Sequence, residues 1–98
     1  MDVNLFSELY EMWITLKGDL DNVLVRLRNH SREPQLDIES RRTIAGFCYK
    51  TGWLTTTINY VEPHPQDDYE EAYIRIDSHV AEVREHISNC MSLITGQD

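Results

Sequence analysis

The residues of this chain that could carry out chemistry are few and widely spaced. Two cysteines, Cys48 and Cys90, lie 42 positions apart, and neither belongs to a CxxC pair or to a zinc-type Cys and His spacing. No candidate base is apparent beside either thiol, so nucleophilic catalysis is not indicated. Because small secreted domains usually carry four or more cysteines, we expect buried, reduced thiols in a cytosolic protein. One disulfide between neighbouring helices is the alternative.

Two histidines lie on one flank of a predicted helix. His79 and His86 are seven residues apart, with Glu82 between them. The iron sites of helical bundles use Glu-x-x-His pairs on two helices, and no such pair occurs here. We therefore expect an exposed or interfacial histidine flank without a metal. Glycine-rich phosphate loops and Ser–His–acid orders are also missing, so the sequence predicts a protein that is not an enzyme and has no cofactor.

Length and composition predict a single acidic domain. The chain has 98 residues, of which 41% are hydrophobic and 27% charged, and its net charge is −8. We expect one domain over residues 1–98. The acidity argues against direct nucleic-acid binding and suits a basic protein partner or mimicry of a polyanion. No apolar run approaches the roughly 20 residues of a membrane span, and the N-terminus does not resemble a secretory signal, which favours a cytoplasmic location.

Helical periodicity is continuous in the first and third segments. Apolar residues step by three or four at Leu5, Leu9, Met12, Leu16, Leu20, Val23 and Leu27, which predicts a helix over residues 3–29. A near-heptad series occurs at Tyr69, Tyr73, Ile76, Val80, Val83, Ile87, Cys90 and Ile94, which predicts a helix over residues 68–95. Asp2 or Asn4 can cap the first helix, and Gly96 fits the end of the last.

The middle segment is less clear. Ile44, Phe47, Leu54, Ile58 and Val61 have tolerable helical spacing over residues 38–61, with Asp37 available to open the helix. Residues 51–61 are also rich in β-branched and aromatic residues, so a short strand or hairpin is the alternative there. The loops on both sides of this segment contain prolines. They are short for helices of this length, so neighbouring helices should run antiparallel. The predicted fold is therefore all-α, an elongated antiparallel three-helix bundle.

The negative charge concentrates towards the C-terminus. Residues 62–98 carry a net charge of −7, whereas residues 37–61 carry +1. An acidic stretch before a helix can simply be a solvated helix start that the dipole favours. The alternative is an acidic docking surface with tyrosines as its aromatic contacts. Its predicted residues are Glu62, Pro63, His64, Pro65, Asp67, Asp68, Tyr69, Glu70, Glu71 and Tyr73.

Two X–Pro bonds lie just before this acidic stretch, at Pro63 and Pro65. The cis form of such a bond lies only about 0.5–1 kcal/mol above trans, and the exchange is slow. The loop could therefore hold two shapes, which makes a host prolyl isomerase a predicted partner. A rigid linker locked in trans is the alternative.

The whole chain resembles phage anti-RecBCD accessory proteins, which bind and modify the host RecBCD helicase–nuclease. The stretches that carry the resemblance are MDVNLFSELY, residues 1–10, and EPHPQDDYEE, residues 62–71. The resemblance implies a non-enzymatic protein that protects phage DNA ends and favours phage recombination, in the host cytoplasm. An antitoxin or immunity protein for a basic toxin, and a self-associating structural helical protein, are the alternatives.

Overall fold

Three helices make up the fold of this chain. The computed structural model describes residues 1–96, so the last two positions of the predicted domain lie outside the described residues. The helices are α1 (Val3–Ser31), α2 (Ile38–Asn59) and α3 (Tyr69–Thr95). Every predicted helix end is within two residues of the observed one. The prediction of an all-α, elongated three-helix bundle is confirmed, and its principal extents are 53 × 20 × 17 Å.

Each helix begins at an aspartate whose side chain accepts a backbone hydrogen bond. Asp2 accepts from the N–H of Leu5 at 2.9 Å, and Asp37 accepts from that of Ser40 at 2.7 Å. Asp68 caps α3 by accepting from the N–H of Glu71 at 3.2 Å. These carboxylates satisfy amide groups that the first helical turn leaves without partners. At its other end, α3 closes on Gly96 in the left-handed conformation, as predicted.

The first helix is the centre of the bundle. It packs along both other helices, whereas α2 and α3 touch over a smaller area. Trp13, early in α1, donates from Nε1 to the carbonyl of Ile58, late in α2, at 2.7 Å. Arg26, late in α1, reaches Met91, late in α3. Consecutive helices are therefore antiparallel, and α1 and α3 run parallel to each other.

The core forms two adjoining clusters along the bundle. The larger contains nine buried residues: Leu9, Trp13, Leu16, Leu20, Leu54, Ile58, Ala72, Ile76 and Val83. The smaller contains Val23, Leu27, Ile44 and Cys90. Ile87 packs against both clusters and joins them. None of the helices among the described residues combines the length and apolarity needed to cross a membrane.

The ambiguous stretch at the end of α2 is helical to Asn59, so the strand alternative is wrong. Four of its threonines donate their hydroxyls to the carbonyl four residues earlier, which fits β-branched residues into a helix. Leu54 and Ile58 are buried against α1 and α3. Tertiary burial therefore outweighs the strand preference of this segment.

Two expectations about α3 are wrong in detail. Tyr73, placed on the buried seam by its spacing, is 41% exposed, and Ala72 is buried in its stead. His86, expected on an exposed or interfacial flank, is buried, with 1% of its surface exposed. The buried side of α3 is thus rotated slightly from the near-heptad series. Histidine enters the core because Thr51 on α2 supplies a hydrogen-bond partner.

Candidate protein-interaction surfaces

The loop predicted to bind a partner is held firmly against the bundle. Pro63 is buried, and Tyr69 is half-buried against the larger core cluster. The N-terminal ammonium group of Met1 donates to the carbonyl of Pro65 at 3.0 Å. No cis peptide bond occurs within residues 1–96, so both X–Pro bonds are trans. The loop is therefore one ordered shape in this structure.

Its two aspartates have structural partners. Asp67 accepts from the backbone N–H of His64 at 3.0 Å and forms an ion pair with Arg75 at 3.2 Å. The hydrogen bond from His64, followed by the Arg75 charge, lowers the pKa of Asp67, although partial desolvation opposes the shift. Asp68 is the cap of α3. Among the ten predicted binding residues, seven are exposed: Glu62, His64, Pro65, Asp68, Glu70, Glu71 and Tyr73.

A groove between α1 and α3 is better suited to binding a partner than the loop is, because its lining combines acidic and apolar side chains. Its volume is about 510 Å³. We call it the acidic groove, and its lining residues are Glu8, Glu11, Met12, Thr15, Leu16, Asp19, Tyr73, Asp77, Val80 and Arg84. Met12, Leu16 and Val80 supply the apolar part, since each packs in or against the larger core cluster. Tyr73 is the one predicted binding residue that lines this groove.

The carboxylates of the acidic groove outnumber the cations of its lining. Glu8, Glu11, Asp19 and Asp77 face a single cation of the lining, Arg84. Within residues 1–96, no ion pair shorter than 4 Å involves any of these four acids. An apolar floor between unpaired carboxylates suits a segment that combines Lys or Arg with an apolar side chain.

The acidic groove is not evident in the sequence when charge is counted segment by segment. Three of the acids belong to α1, whose segment has a nearly balanced charge. Glu8, Glu11 and Asp19 nevertheless share one flank of the helix, since their steps are three and eight residues. Asp77 and Arg84 lie seven residues apart on one flank of α3. The groove becomes evident when the charges are assigned to helical faces and α1 and α3 are placed side by side.

One buried cluster contains groups associated with catalysis. His86 Nε2 lies 2.7 Å from the hydroxyl of Thr51 and 3.4 Å from Sγ of Cys90. The expectation that no base lies beside a cysteine is therefore wrong. Thr51 donates its single hydroxyl proton to the carbonyl of Phe47 at 2.7 Å, so its oxygen accepts from Nε2–H of His86. This arrangement places a proton on Nε2 of the ring.

The environment of that cluster opposes thiol chemistry. Burial raises the pKa of Cys90 to about 11 and also raises that of Cys48. Burial, followed by the Lys50 charge, lowers the pKa of His86. Cys90 is fully buried, which leaves no path for a substrate. Both cysteines are free thiols, as predicted, but only Cys90 is buried, whereas Cys48 is half-buried. We assign this cluster a packing role between α2 and α3.

Comparison with known proteins provides no relative. No family model matches the chain, and neither curated proteins nor solved structures include a match. Across residues 1–96, no three His, Cys, Asp or Glu side chains lie close enough together to hold a metal ion.

Proposed function

We propose that this chain is a non-enzymatic binding protein that holds a basic segment of a partner protein in the acidic groove. The observation that carries the proposal is the set of four unpaired carboxylates around an apolar floor. Lysine or arginine side chains of the partner would pair with the rim, while an apolar side chain would cover Met12, Leu16 and Val80. Such charge complementarity increases both the association rate and the specificity.

The partner that we propose is the RecBCD helicase–nuclease of a bacterial host. This assignment is supported by the resemblance of residues 1–10 and 62–71 to phage anti-RecBCD proteins. Binding would modulate or inhibit the nuclease in the host cytoplasm, so that phage DNA ends survive for recombination. Residues 1–10 include Glu8, which lines the acidic groove, so the resemblance and the groove overlap there.

Contact with the protein, rather than with its DNA, is the proposed mode of action. A net charge of −8 repels phosphates, and phosphate neutralisation supplies much of the affinity in nucleic-acid binding. The acidic groove would compete with phosphates for basic residues of the partner, as a polyanion mimic does. A protein-directed inhibitor of this kind should bind the nuclease in the absence of DNA.

The test is the affinity of purified RecBCD for charge-reversed variants. Glu11→Lys with Asp77→Lys reverses two exposed rim charges and should weaken binding by about tenfold or more. The same variant should lose inhibition of RecBCD exonuclease activity on linear duplex DNA. Binding by the wild type should weaken as salt is raised, and this dependence should flatten in the variant.

Two matched variants separate the groove from general acidity and from the loop. Asp21→Lys with Glu85→Lys makes the same change of charge on exposed positions of α1 and α3 outside the groove. Glu70→Lys with Glu71→Lys reverses the predicted loop flank. Both should bind far better than the groove variant. Equal binding by the groove variant and the wild type would contradict the proposal, and loss confined to the Glu70 and Glu71 variant would return the site to the loop.

An immunity protein for a basic toxin is the second candidate function. The acidic groove favours it as well, because a cationic toxin surface presents the same chemistry as a basic segment of a nuclease. A toxin gene beside the gene for this chain, together with neutralisation of that toxin by the wild type and not by the groove variant, would decide for it. Absence of RecBCD binding by the wild type would remove the first candidate.

A host prolyl isomerase remains a proposed second partner, at the His64–Pro65 bond. Pro65 is exposed, whereas Pro63 is buried, so an enzyme can reach only the second of the two prolines without opening the loop. His64 is also exposed. Binding of an isomerase should therefore depend on Pro65.

A further inference from the structure

The outer face of α2 carries a second apolar series that the fold does not use. Ile38, Arg42, Ala45, Tyr49, Trp53, Thr56 and Tyr60 are all exposed. We call this set the aromatic stripe. Its steps are 4, 3, 4, 4, 3 and 4 residues, so it follows one face of the helix and its C-cap. The buried face of α2 is separate, with Ile44, Thr51, Leu54 and Ile58.

The exposure of the aromatic stripe is large for apolar side chains. Tyr49 is 80% exposed, Trp53 54% and Tyr60 85%. Since an aromatic side chain buries about 150–250 Å², covering these three removes about 400 Å² per molecule from water. That is about half of the roughly 800 Å² per partner in a standard interface. Ile38 and the smaller members of the stripe extend the area along the same helix.

The charge of the aromatic stripe indicates which kind of partner could cover it. The aromatic stripe contains no carboxylate, and Arg42 is its single charged member. The acidic groove, by contrast, presents four acids. A second copy of a chain of charge −8 would be repelled by most acidic surfaces, but it meets no acid on this face.

The spacing of the aromatic stripe is also symmetric about its central residue, Tyr49. The steps read the same in both directions from Tyr49, so an antiparallel second copy places every stripe residue opposite another. Tyr49 then meets Tyr49, and the small Ala45 lies opposite the large Trp53. Ile38 lies opposite Tyr60, and Arg42 opposite Thr56. Arg42 would lie between the ring levels of Trp53 and Tyr60, a position suited to cation–π contact.

Repulsion between the two Arg42 side chains is small in this arrangement. They are about 14 residues apart along the paired helices, or about 21 Å at 1.5 Å per residue. This separation exceeds the Debye length of about 10 Å at 0.1 M salt. The two Arg42 charges therefore do not oppose the pairing.

Two glycines beside the aromatic stripe support a close approach of another backbone. Gly46 and Gly52 are exposed, each three residues from Tyr49, and a Cβ at either position would meet no atom within 4 Å. Glycine inside a helix costs about 1 kcal/mol relative to alanine. Packing within the chain gives no reason for this cost, whereas a second helix on the same face does.

We propose that this chain forms a twofold symmetric dimer in which the aromatic stripes of two α2 helices pack antiparallel about Tyr49. The dimer leaves both acidic grooves open, because they lie between α1 and α3. Its formation does not depend on the proposed partner. It also gives the predicted alternative of self-association a specific surface.

Sedimentation equilibrium of the full chain tests the dimer. The wild type should reach twice its 11.5 kDa mass within about 1–200 μM, and Tyr49→Glu should weaken the dimer by about tenfold or more, because it places two carboxylates together on the twofold axis. Ile74→Glu is the matched control, since Ile74 is an exposed apolar residue on α3. It should associate as the wild type does. A monomeric wild type, or equal association by the Tyr49 variant, would overturn the proposal.

Cysteine crosslinking tests the register without disturbing charge. Tyr49→Cys should form a covalent dimer under mild oxidation, because the two substituted positions meet on the axis. Arg42→Cys should not, since the two positions are about 21 Å apart in the antiparallel register. The wild type, whose Cys90 is buried and Cys48 half-buried, gives the background. Equal crosslinking at both positions would indicate parallel pairing and overturn the twofold arrangement.

Discussion

The two exposed faces of this bundle contrast in charge and in the side chains they present. The acidic groove combines four unpaired carboxylates with a partly buried apolar floor. The aromatic stripe on α2 has large, exposed rings and one arginine, without a carboxylate. Charge of one sign suits a partner of the opposite sign, whereas a self-matching face without carboxylates suits a second copy. The distribution of 17 acids over a small surface thus separates two kinds of binding.

The largest expected effect is the unfolding of the bundle, which would remove the acidic groove and the aromatic stripe together. Val83 is fully buried in the larger core cluster, so Val83→Asp places an unpaired charge there. The cost of several kcal/mol approaches the total stability of a small domain, about 5–15 kcal/mol. Circular dichroism should show loss of helicity and of the thermal transition. Ile74→Asp, on the exposed side of the same helix, should keep both, and a folded Val83→Asp variant would contradict the assigned core.

Acid should weaken the attachment of α2, which carries the aromatic stripe, to α3. Burial and Lys50 lower the pKa of His86 from 6.5, while Glu82 opposes them, so folding favours the neutral ring. The unfolded chain takes up the proton first as the pH falls, so the free energy of unfolding should decrease as the pH drops through 6.5 towards the lowered pKa. The slope for one proton is at most about 1.4 kcal/mol per pH unit.

Urea denaturation between about pH 7.5 and 5.5 measures this slope. His86→Gln retains an amide donor for Thr51 without a titrating ring, so its stability should vary less with pH. His79→Gln, at a half-buried position of α3, is the control for the loss of a histidine from the same helix. A wild-type slope in the His86 variant would assign the acid sensitivity to other groups.

Substitution of the loop prolines distinguishes binding at the acidic groove from binding at the loop. Pro63→Ala removes a buried ring and should cost about 1 kcal/mol of stability, whereas Pro65→Ala, at an exposed position, should cost little. Both variants should bind the basic partner if the acidic groove is the site. Loss of that binding at one proline, with the fold intact, would support a loop of two exchanging shapes. Isomerase binding should be lost with Pro65→Ala alone.

The smallest expected effects concern glycines on the two sides of the molecule. Gly18 in α1 and Gly46 and Gly52 in α2 each have open space where the methyl group of an alanine would lie. Alanine at each position should raise the stability of the monomer by about 0.5–1 kcal/mol. Only the two substitutions in α2 should weaken dimerisation, since they flank the aromatic stripe. An equal effect of Gly18→Ala on dimerisation would contradict the proposed face.

Sequence periodicity was sufficient for the fold because the core stripes of α1 and α3 are continuous. The helical end of α2 could not be assigned in the same way, since its threonines favour strands until Leu54 and Ile58 are buried by α1 and α3. His86 was also placed wrongly, because the partner that makes its burial acceptable, Thr51, lies 35 residues away. The spacing of residues along one helix does not reveal partners that lie far away in the sequence.

The candidate surfaces were less accessible to sequence reasoning than the fold. The stretch at residues 62–71 was conspicuous in sequence, yet two of its five acids serve as loop and cap partners. The acidic groove joins side chains from two helices that are far apart along the chain, so no linear window contains it. The aromatic stripe was present in the sequence but was obscured by the buried series on the same helix.

The most direct test of two independent faces is sedimentation velocity of labelled chain with and without purified RecBCD. Three proteins are compared: the wild type, Glu11→Lys with Asp77→Lys, and Tyr49→Glu. The groove variant should remain a dimer and fail to join the RecBCD boundary. The Tyr49 variant should become a monomer and still join that boundary. Loss of both associations in either variant, with the helices intact, or no change in either, would contradict the independence of the two faces.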